Sequence, residues 1–235
     1  MKEKTSQGEL ISDLDPSWKG LFRLGGISAA LFVVLIATAI VLSIITPQPP
    51  ASGGVATLKY IASHRSVYVL EQQLWLVPGL FAMIVYLALY IALRHLSKSY
   101  ATLGAVIGGV AWALTLAIPT TSTGAPALVY LSDQYMSATT AVQRASFASA
   151  AETLIAQNNT VTAVGILTTI GLLIISLVML KGVFHKGVAY LGIVAGAIGI
   201  ASEALRVVLP SIYGIYGILM LIWFAAVGWK LYRLS

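Results

Sequence analysis

Residues Leu24–Thr46 read LGGISAALFVVLIATAIVLSIIT, without a single charge. A helix of about 20 predominantly apolar residues crosses the roughly 30 Å hydrocarbon core of a bilayer, and this run is long enough to do so. A cationic segment precedes it and the small residues Ala51, Ser52 and Gly53 follow it, an arrangement that resembles a secretory signal. The run of about 23 residues, however, exceeds the roughly 7–15 of a signal core, which argues for a retained first membrane helix. Working outward, five more such runs follow: Leu74 to Leu93, Tyr100 to Pro119, Val161 to Leu180, Val188 to Leu209 and Ile212 to Trp229. Only the fifth contains charges, Glu203 and Arg206.

Composition agrees. The 235 residues are 58% hydrophobic and 9% charged, against about 25% charged in a soluble domain. A soluble fold could not cover itself with so few charges, and disordered chains are poor in apolar residues. The expected class is all-α: a polytopic integral membrane protein of six transmembrane helices, with short amphipathic helices capping its outer face. Residues 1–23 form a cytoplasmic tail, and 24–235 a single six-helix domain with outer loops 47–73 and 120–160.

The formal net charge is +6, but the basic residues flank apolar runs, which marks orientation and not a nucleic-acid face. Lys2, Lys4, Lys19, Arg23, Arg94, Lys98, Lys181, Lys186, Lys230 and Arg233 fall on one side. Lys59, Arg65, Arg144 and Arg206 fall on the other. The excess of Lys and Arg places both termini in the cytoplasm. Trp18, Tyr100, Trp229 and Tyr232 at inner ends, and Tyr68, Trp75, Tyr213 and Tyr216 near outer ends, suit amphipathic rings at the two interfaces.

The first outer loop opens with Pro47, Pro49, Pro50, Gly53 and Gly54, then reads as a short helix carrying Leu58, Ile61, Ala62 and Val69. The second ends in a stronger amphipathic stretch. Phe147, Ala151, Leu154 and Ile155 share one helical face there, with Gln143, Ser146, Ser149, Glu152 and Thr153 largely off it. Leu103-Gly104-x-Val106-x-Gly108 and Leu191-Gly192-x-Val194-x-Gly196 each follow a basic loop with one histidine, which suggests a parallel internal repeat. The glycines in both permit close helix approach.

Glu203 and Arg206 are the ionisable residues deep in an apolar run, where a charge costs roughly 2.5–3.5 kcal/mol on insertion scales. At i, i+3 they can meet on one helix face. Glu203 lies about 15 residues, or about 22 Å, past the inner end, in the outer third. A salt bridge that anchors the outer loops is the structural account; a proton relay or polar-ligand anchor is the functional one. Glu71, Gln72 and Gln73 cluster at the outer mouth of the second run, where interfacial solvation explains them. Glu71 and Gln72 together with Glu203, Arg206 and Tyr213 would also make a polar ligand site under the outer cap. Pro78 and Gly79 read as a packing kink. Asn158-Asn159-Thr160 matches the glycosylation acceptor pattern but lies very close to the membrane.

Several chemistries lack their tools. The chain has no cysteine, which removes thiol nucleophiles, iron–sulfur clusters and Cys-ligated zinc. His64, His95 and His185 all lie in loops, so intramembrane bis-His haem ligation and histidine metal sites are not expected. No HExxH, phosphate-binding loop or mid-helix Schiff-base lysine occurs. The reading assigns no catalytic residue, no metal and no cofactor.

Four stretches carry a resemblance: Tyr60 to Arg94, Ala151–Asn159 (AETLIAQNN), Met179–Phe184 (MLKGVF) and Trp223–Leu234 (WFAAVGWKLYRL). The chain resembles a widespread prokaryotic family of six-helix membrane proteins catalogued as domain of unknown function 4386, and its closing Gly228-x-x-Leu231-Tyr232-Arg233-Leu234 is the most distinctive part. The resemblance implies a bacterial or archaeal cytoplasmic membrane and a six-helix bundle. It carries over no active-site residue. Three functional readings follow. The leading one is a non-enzymatic accessory, interaction or lipid-binding membrane protein, whose partners are membrane lipids and a membrane protein or second copy. A small-solute or proton-coupled transporter using Glu203 and Arg206 comes next, and an intramembrane enzyme last.

Overall fold

The computed structural model describes residues 15–50, 52–121, 124–159, 163–206, 208–209 and 211–235. Most of the tail with Lys2 and Lys4, Thr160 of the acceptor triplet and Val161 at the start of the fourth run lie outside the described residues. The fold is all-α. The helices are α1 (Lys19–Ile45), α2 (Gly54–Ser63), α3 (Arg65–Leu76), α4 (Pro78–Leu93), α5 (Lys98–Ala117), α6 (Ala127–Ser137), α7 (Ala141–Asn158), α8 (Ala163–Met179), α9 (Lys186–Ala204) and α10 (Ser211–Arg233). Among the described residues no strand forms, and Thr121 and Gly124 make an isolated bridge. Six helical spans are long and apolar enough to cross a membrane. The molecule is a multi-pass membrane protein.

Helix ends differ from the sequence expectation by a few residues in several spans, α1 starting at Lys19 and α10 ending at Arg233, and two differences bear on the polar residues. The second span begins at Arg65 and not at Leu74, because α3 runs into α4 through Val77, whose backbone stays helical. Pro78 has no N–H to continue the ladder, which accounts for the interruption. The fifth run stops as a helix at Ala204 and not at Leu209, so Arg206 stands in the turn beyond it.

The chain divides into two compact units. The first comprises residues 1–34, 78–114 and 161–235. Its central helix is α4, where Ala82, Val85, Tyr86, Ala88, Leu89, Ala92 and Leu93 are all buried. Neighbouring helices close on one another through glycines, as bundles in lipid do when dispersion rather than water drives association. Gly25 sits against Ala88, Gly228 against Ala29, and Gly104 against Ile174 and Ile175. Gly108 faces both Gly171 and the Tyr86 ring. Phe32 stacks on Phe224 at 4.0 Å with Trp112 edge-on at 5.3 Å. Outward, Leu24, Ile27, Leu31 and Val34 on α1, Leu103, Val106 and Val110 on α5, and Ile215, Ile218 and Ile222 on α10 form exposed apolar stripes. Helices apolar on both faces fit lipid as the surrounding solvent. At one end of this unit Arg94 lies 5.5 Å over Trp18, and Arg233 4.6 Å over Trp229.

The second unit comprises residues 35–77 and 115–160. Leu58, Ile61, Tyr68, Leu128, Ala151 and Ile155 form its core, with Phe147 and Leu154 packed against it. The amphipathic face read from the sequence of α7 is therefore the buried one, and Gln143, Ser146, Ser149, Glu152 and Thr153 are exposed. The first loop contains two helices instead of one, and Ala62 and Val69 are exposed because α2 and α3 turn at His64. α6 was not legible in the sequence. Gly53 (φ 92°) gives α2 no side-chain cap. Glu152 supplies one from α7, accepting the Gly54 N–H at 2.5 Å, which satisfies an otherwise orphaned donor. Ser132 donates to the Leu58 carbonyl at 2.7 Å, and the Tyr68 hydroxyl bridges the Ala125 N–H and C=O at 3.2 Å each. Arg65 pairs with Asp133. A capping box at Thr140 and Gln143 starts α7.

Candidate functional site

α8 and α9 run antiparallel in a steady register within the first unit. Gly192 lies against Ser176, Gly196 against Leu173 and Gly199 against Thr169. These glycines recur at intervals of four and three residues, one face of a helix. The next member of that face is Glu203. Its carboxylate fills the space that a Cβ on Gly165 would occupy. The carboxylate is thus held between two helices, fully buried, on a stripe that elsewhere carries no side chain.

Neither carboxylate oxygen of Glu203 makes a well-formed hydrogen bond, although the Tyr213 hydroxyl lies close to it. Arg206 approaches to 3.6 Å, with a side chain 19% exposed. The pair expected from the i, i+3 spacing forms, although the helix has ended and the turn after Ala204 brings Arg206 back. The same guanidinium lies 5.2 Å over the ring of Tyr213 in the first turn of α10, a cation–π geometry. Tyr213 meets Tyr216 edge-on at 5.7 Å, and its phenol feels the charges of both Glu203 and Arg206. Glu203, Arg206 and Tyr213 therefore come together at one end of the first unit.

Glu71 and Gln72 belong to the second unit, and their surroundings correct the expectation of a solvated helix mouth. Both lie inside α3 and are buried; only Gln73 of the trio is exposed. The Gln72 amide oxygen accepts from Thr121 Oγ1 at 2.8 Å. Glu71 makes no well-formed hydrogen bond on either oxygen, and no described Lys or Arg lies within salt-bridge reach. Trp75, one turn along α3, and Gln48 are the polar side chains that face it.

Other sequence candidates take structural places. His185 accepts the Gly187 N–H at 3.0 Å and caps α9, and His64 stacks on Tyr60 at 4.6 Å. Asn158 is 7% exposed, which leaves its amide poorly placed for glycosylation. Gly104, Gly108, Gly192 and Gly196 are packing residues. Among the described residues no group of His, Asp or Glu could hold a metal ion. Sequence reasoning missed Gly165, Thr169 and Tyr216. The Gly192, Gly196, Gly199, Glu203 spacing carried a signal that the carboxylate shares the glycine face; nothing local marks Gly165 as its counterpart.

A family model described as "Domain of unknown function (DUF4386)" matches residues 27–232. The chain belongs to that family. No curated protein and no solved structure matches the chain. Membership in the DUF4386 family assigns no activity, so every role given below to a residue rests on its geometry.

Proposed function

We propose that this DUF4386 protein is a non-enzymatic, lipid-binding membrane protein of the prokaryotic cytoplasmic membrane, with both termini in the cytoplasm. Glu203, Arg206 and Tyr213 read the polar head of the bound amphiphile. The observation that carries this reading is the Glu203 carboxylate, fully buried, without a well-formed hydrogen bond on either oxygen, and with its cation no nearer than 3.6 Å. Buried acceptors left unpaired cost about 1–3 kcal/mol each. A head group with hydroxyl or ammonium donors recovers that cost, and Arg206 and Tyr213 offer a cation and an aromatic face to its acidic part. An acid–base catalyst would need a second titratable group within hydrogen-bond reach of Glu203; the Tyr213 phenol approaches it, but a phenol's ordinary value of about 10 suits it poorly to proton transfer at neutral pH, so the enzyme reading has least support.

The test is purification in mild detergent followed by mass spectrometry of co-purifying lipids. The wild type should retain one lipid class in fixed ratio, and Glu203→Gln and Tyr213→Phe should each deplete it while leaving the thermal midpoint near that of wild type. A lipid profile that mirrors the host membrane in all three proteins would refute the assignment. A stoichiometric protein partner would instead move the function to an accessory subunit.

A second reading is supported by a separate observation: polar side chains continue from Glu203 into the first unit. A proton-coupled transporter would use them. Ion flux in proteoliposomes abolished by Glu203→Gln would favour it over passive lipid binding.

A further inference from the structure

Three helix termini meet at the end of the first unit away from Glu203. Gly25 of α1 sits against Ala88 of α4 and Leu231 of α10, and Gly26 lies against the Tyr232 backbone and the Gly228 carbonyl. The start of α1 and the end of α10 are therefore in backbone contact, with the end of α4 beside them. Tyr213 and Arg233 stand about 30 Å apart along α10 at 1.5 Å per residue, so this end is remote from the Glu203 site.

Cations gather there. Lys19 opens α1 and Arg23 follows one turn on, Arg94 stands just past the end of α4, and Lys230 and Arg233 close α10. All but the half-buried Lys230 are exposed. Among the described residues the acid at this end is Asp15, which accepts the Ser17 N–H at 2.9 Å and faces the charge of Arg94. The described ion pairs, Arg65 with Asp133 and Arg206 with Glu203, involve none of these cations. Lys230 and Arg233 are close enough to feel each other's charge. The helix dipole accounts for cations at the ends of α4 and α10. It opposes those at the start of α1, because a helix N-terminus favours anions, and α1 has no acid in its first turn.

Aromatic shelves and apolar stripes complete the outline of an amphiphile. Arg94 lies over Trp18 and Arg233 over Trp229, which fixes guanidinium groups beside rings suited to the head-group level. On α10 the exposed residues Ile215, Ile218, Ile222, Ala225 and Trp229 recur at helical spacing and lead to Arg233. On α1 the exposed Val34, Leu31, Ile27 and Leu24 lead in the same way to Arg23. No heavy atom lies within 4 Å of where a Cβ on Gly20 would be, one turn before Arg23, so the approach to the arginine is open. A lipid chain along either stripe brings its polar end to a guanidinium group.

We propose that Arg23, Lys230 and Arg233 bind the phosphate of an anionic phospholipid whose acyl chains lie along the exposed stripes of α1 and α10. Guanidinium forks match phosphate oxygens in bidentate geometry, and a lysine adds a point charge. The site is separate from the Glu203 reading. It stands at the other end of α10 and selects for the opposite charge, so either can fail without the other.

The test uses the delipidated full-length protein in detergent micelles holding equal amounts of phosphatidylglycerol and phosphatidylcholine with the same acyl chains. After repurification, mass spectrometry counts the two lipids retained. The wild type should favour phosphatidylglycerol by about tenfold or more. Arg23→Gln and Arg233→Gln should each lower that ratio by about fivefold, the weight of one cation near an anionic surface, and the double variant should bring it near parity. Lys230→Gln, with the same loss expected, serves if either arginine variant folds poorly. Arg23→Lys, which keeps the charge, should retain most of the preference, and so should Lys59→Gln, which removes a cation from the second unit. A wild-type ratio near one overturns the proposal. So does an equal fall in Lys59→Gln, which would assign the preference to net charge. A preference that emerges only after deletion of residues 2–14 would make that segment the occupant and also overturn it. Inorganic phosphate that raises the thermal midpoint as far as phosphatidylglycerol does would overturn it in favour of the free anion.

Discussion

Gly165 has no side chain, and the Glu203 carboxylate lies where its Cβ would be. An alanine there overpacks the seam, and insertions of this size in close-packed interiors cost about 1–3 kcal/mol. Gly165→Ala should therefore lower the unfolding midpoint in detergent. The loss should be rescued by Glu203→Ala, which vacates the space, and not by Glu203→Gln, which fills it. A double-mutant cycle reads this coupling, and strictly additive effects would show that the two residues do not share the space. The residue scale also explains a gap in legibility. Glu203 and Arg206 stood out as charges in an apolar run, but the position that makes room for the carboxylate is one glycine among 21. Only the helix pairing selects it. Glu71 was equally visible and misread: its burial follows from the extension of α3 beyond the apolar run, and no local pattern marks that.

At the scale of elements, α2 and α7 are tied by two contacts that differ in kind. The Gly54 amide is capped by Glu152, and the Gly54 Cα approaches the Ala148 carbonyl so closely that a Cβ would overlap it. Glu152→Ala should remove the cap, at about 0.5–2 kcal/mol by analogy with N-cap substitutions, with proteolysis near Gly53 as the sensitive measurement. Tyr60 ties α2 to the preceding loop by donating to the Pro47 carbonyl. Burial, and then the Glu71 carboxylate, hold its phenol above the ordinary value of 10.0. The folded protein thus keeps this proton more tightly than the unfolded chain does. The contribution is complete below about pH 10 and is lost as pH rises through the folded value. Thermal midpoints should fall above about pH 10 in the wild type, and part of that slope should vanish in Tyr60→Phe. Equal slopes would remove Tyr60 from the account. The buried face of α7 was legible because four apolar residues recur at helical spacing. α6 was not, because Leu128 and Ser132, its buried residues, give too few apolar marks over three turns.

At the scale of the whole molecule, the absence of cysteine makes orientation accessible to a clean experiment. If both termini are cytoplasmic, a single cysteine at exposed Ser149 should react with an impermeant maleimide in intact cells, and one added after Ser235 should react only after the cells are opened. The reverse pattern would invert the topology, and with it the side from which Glu203 is reached. The spans themselves were legible because crossing about 30 Å of hydrocarbon demands about 20 apolar residues in succession, a demand that no tertiary arrangement relaxes.

Length and apolarity of the runs, and the scarcity of charge, thus determined by themselves that this chain is an all-α membrane protein with six spans. They did so because hydrocarbon tests each segment separately: every backbone N–H and C=O must be satisfied within its own helix. Which faces turn inward was decided only by tertiary structure. Helices that are apolar all round carry no polar side to exclude, so Ile215 and Trp223 of α10 look alike in sequence, yet the first is exposed and the second wholly buried. Packing also placed α4 at the centre of its unit, set Gly165 opposite Glu203, and aligned Thr169, Ser176 and Trp223 along one seam. Those choices follow from close approach at glycines on different helices, a property of pairs of surfaces that no single segment contains.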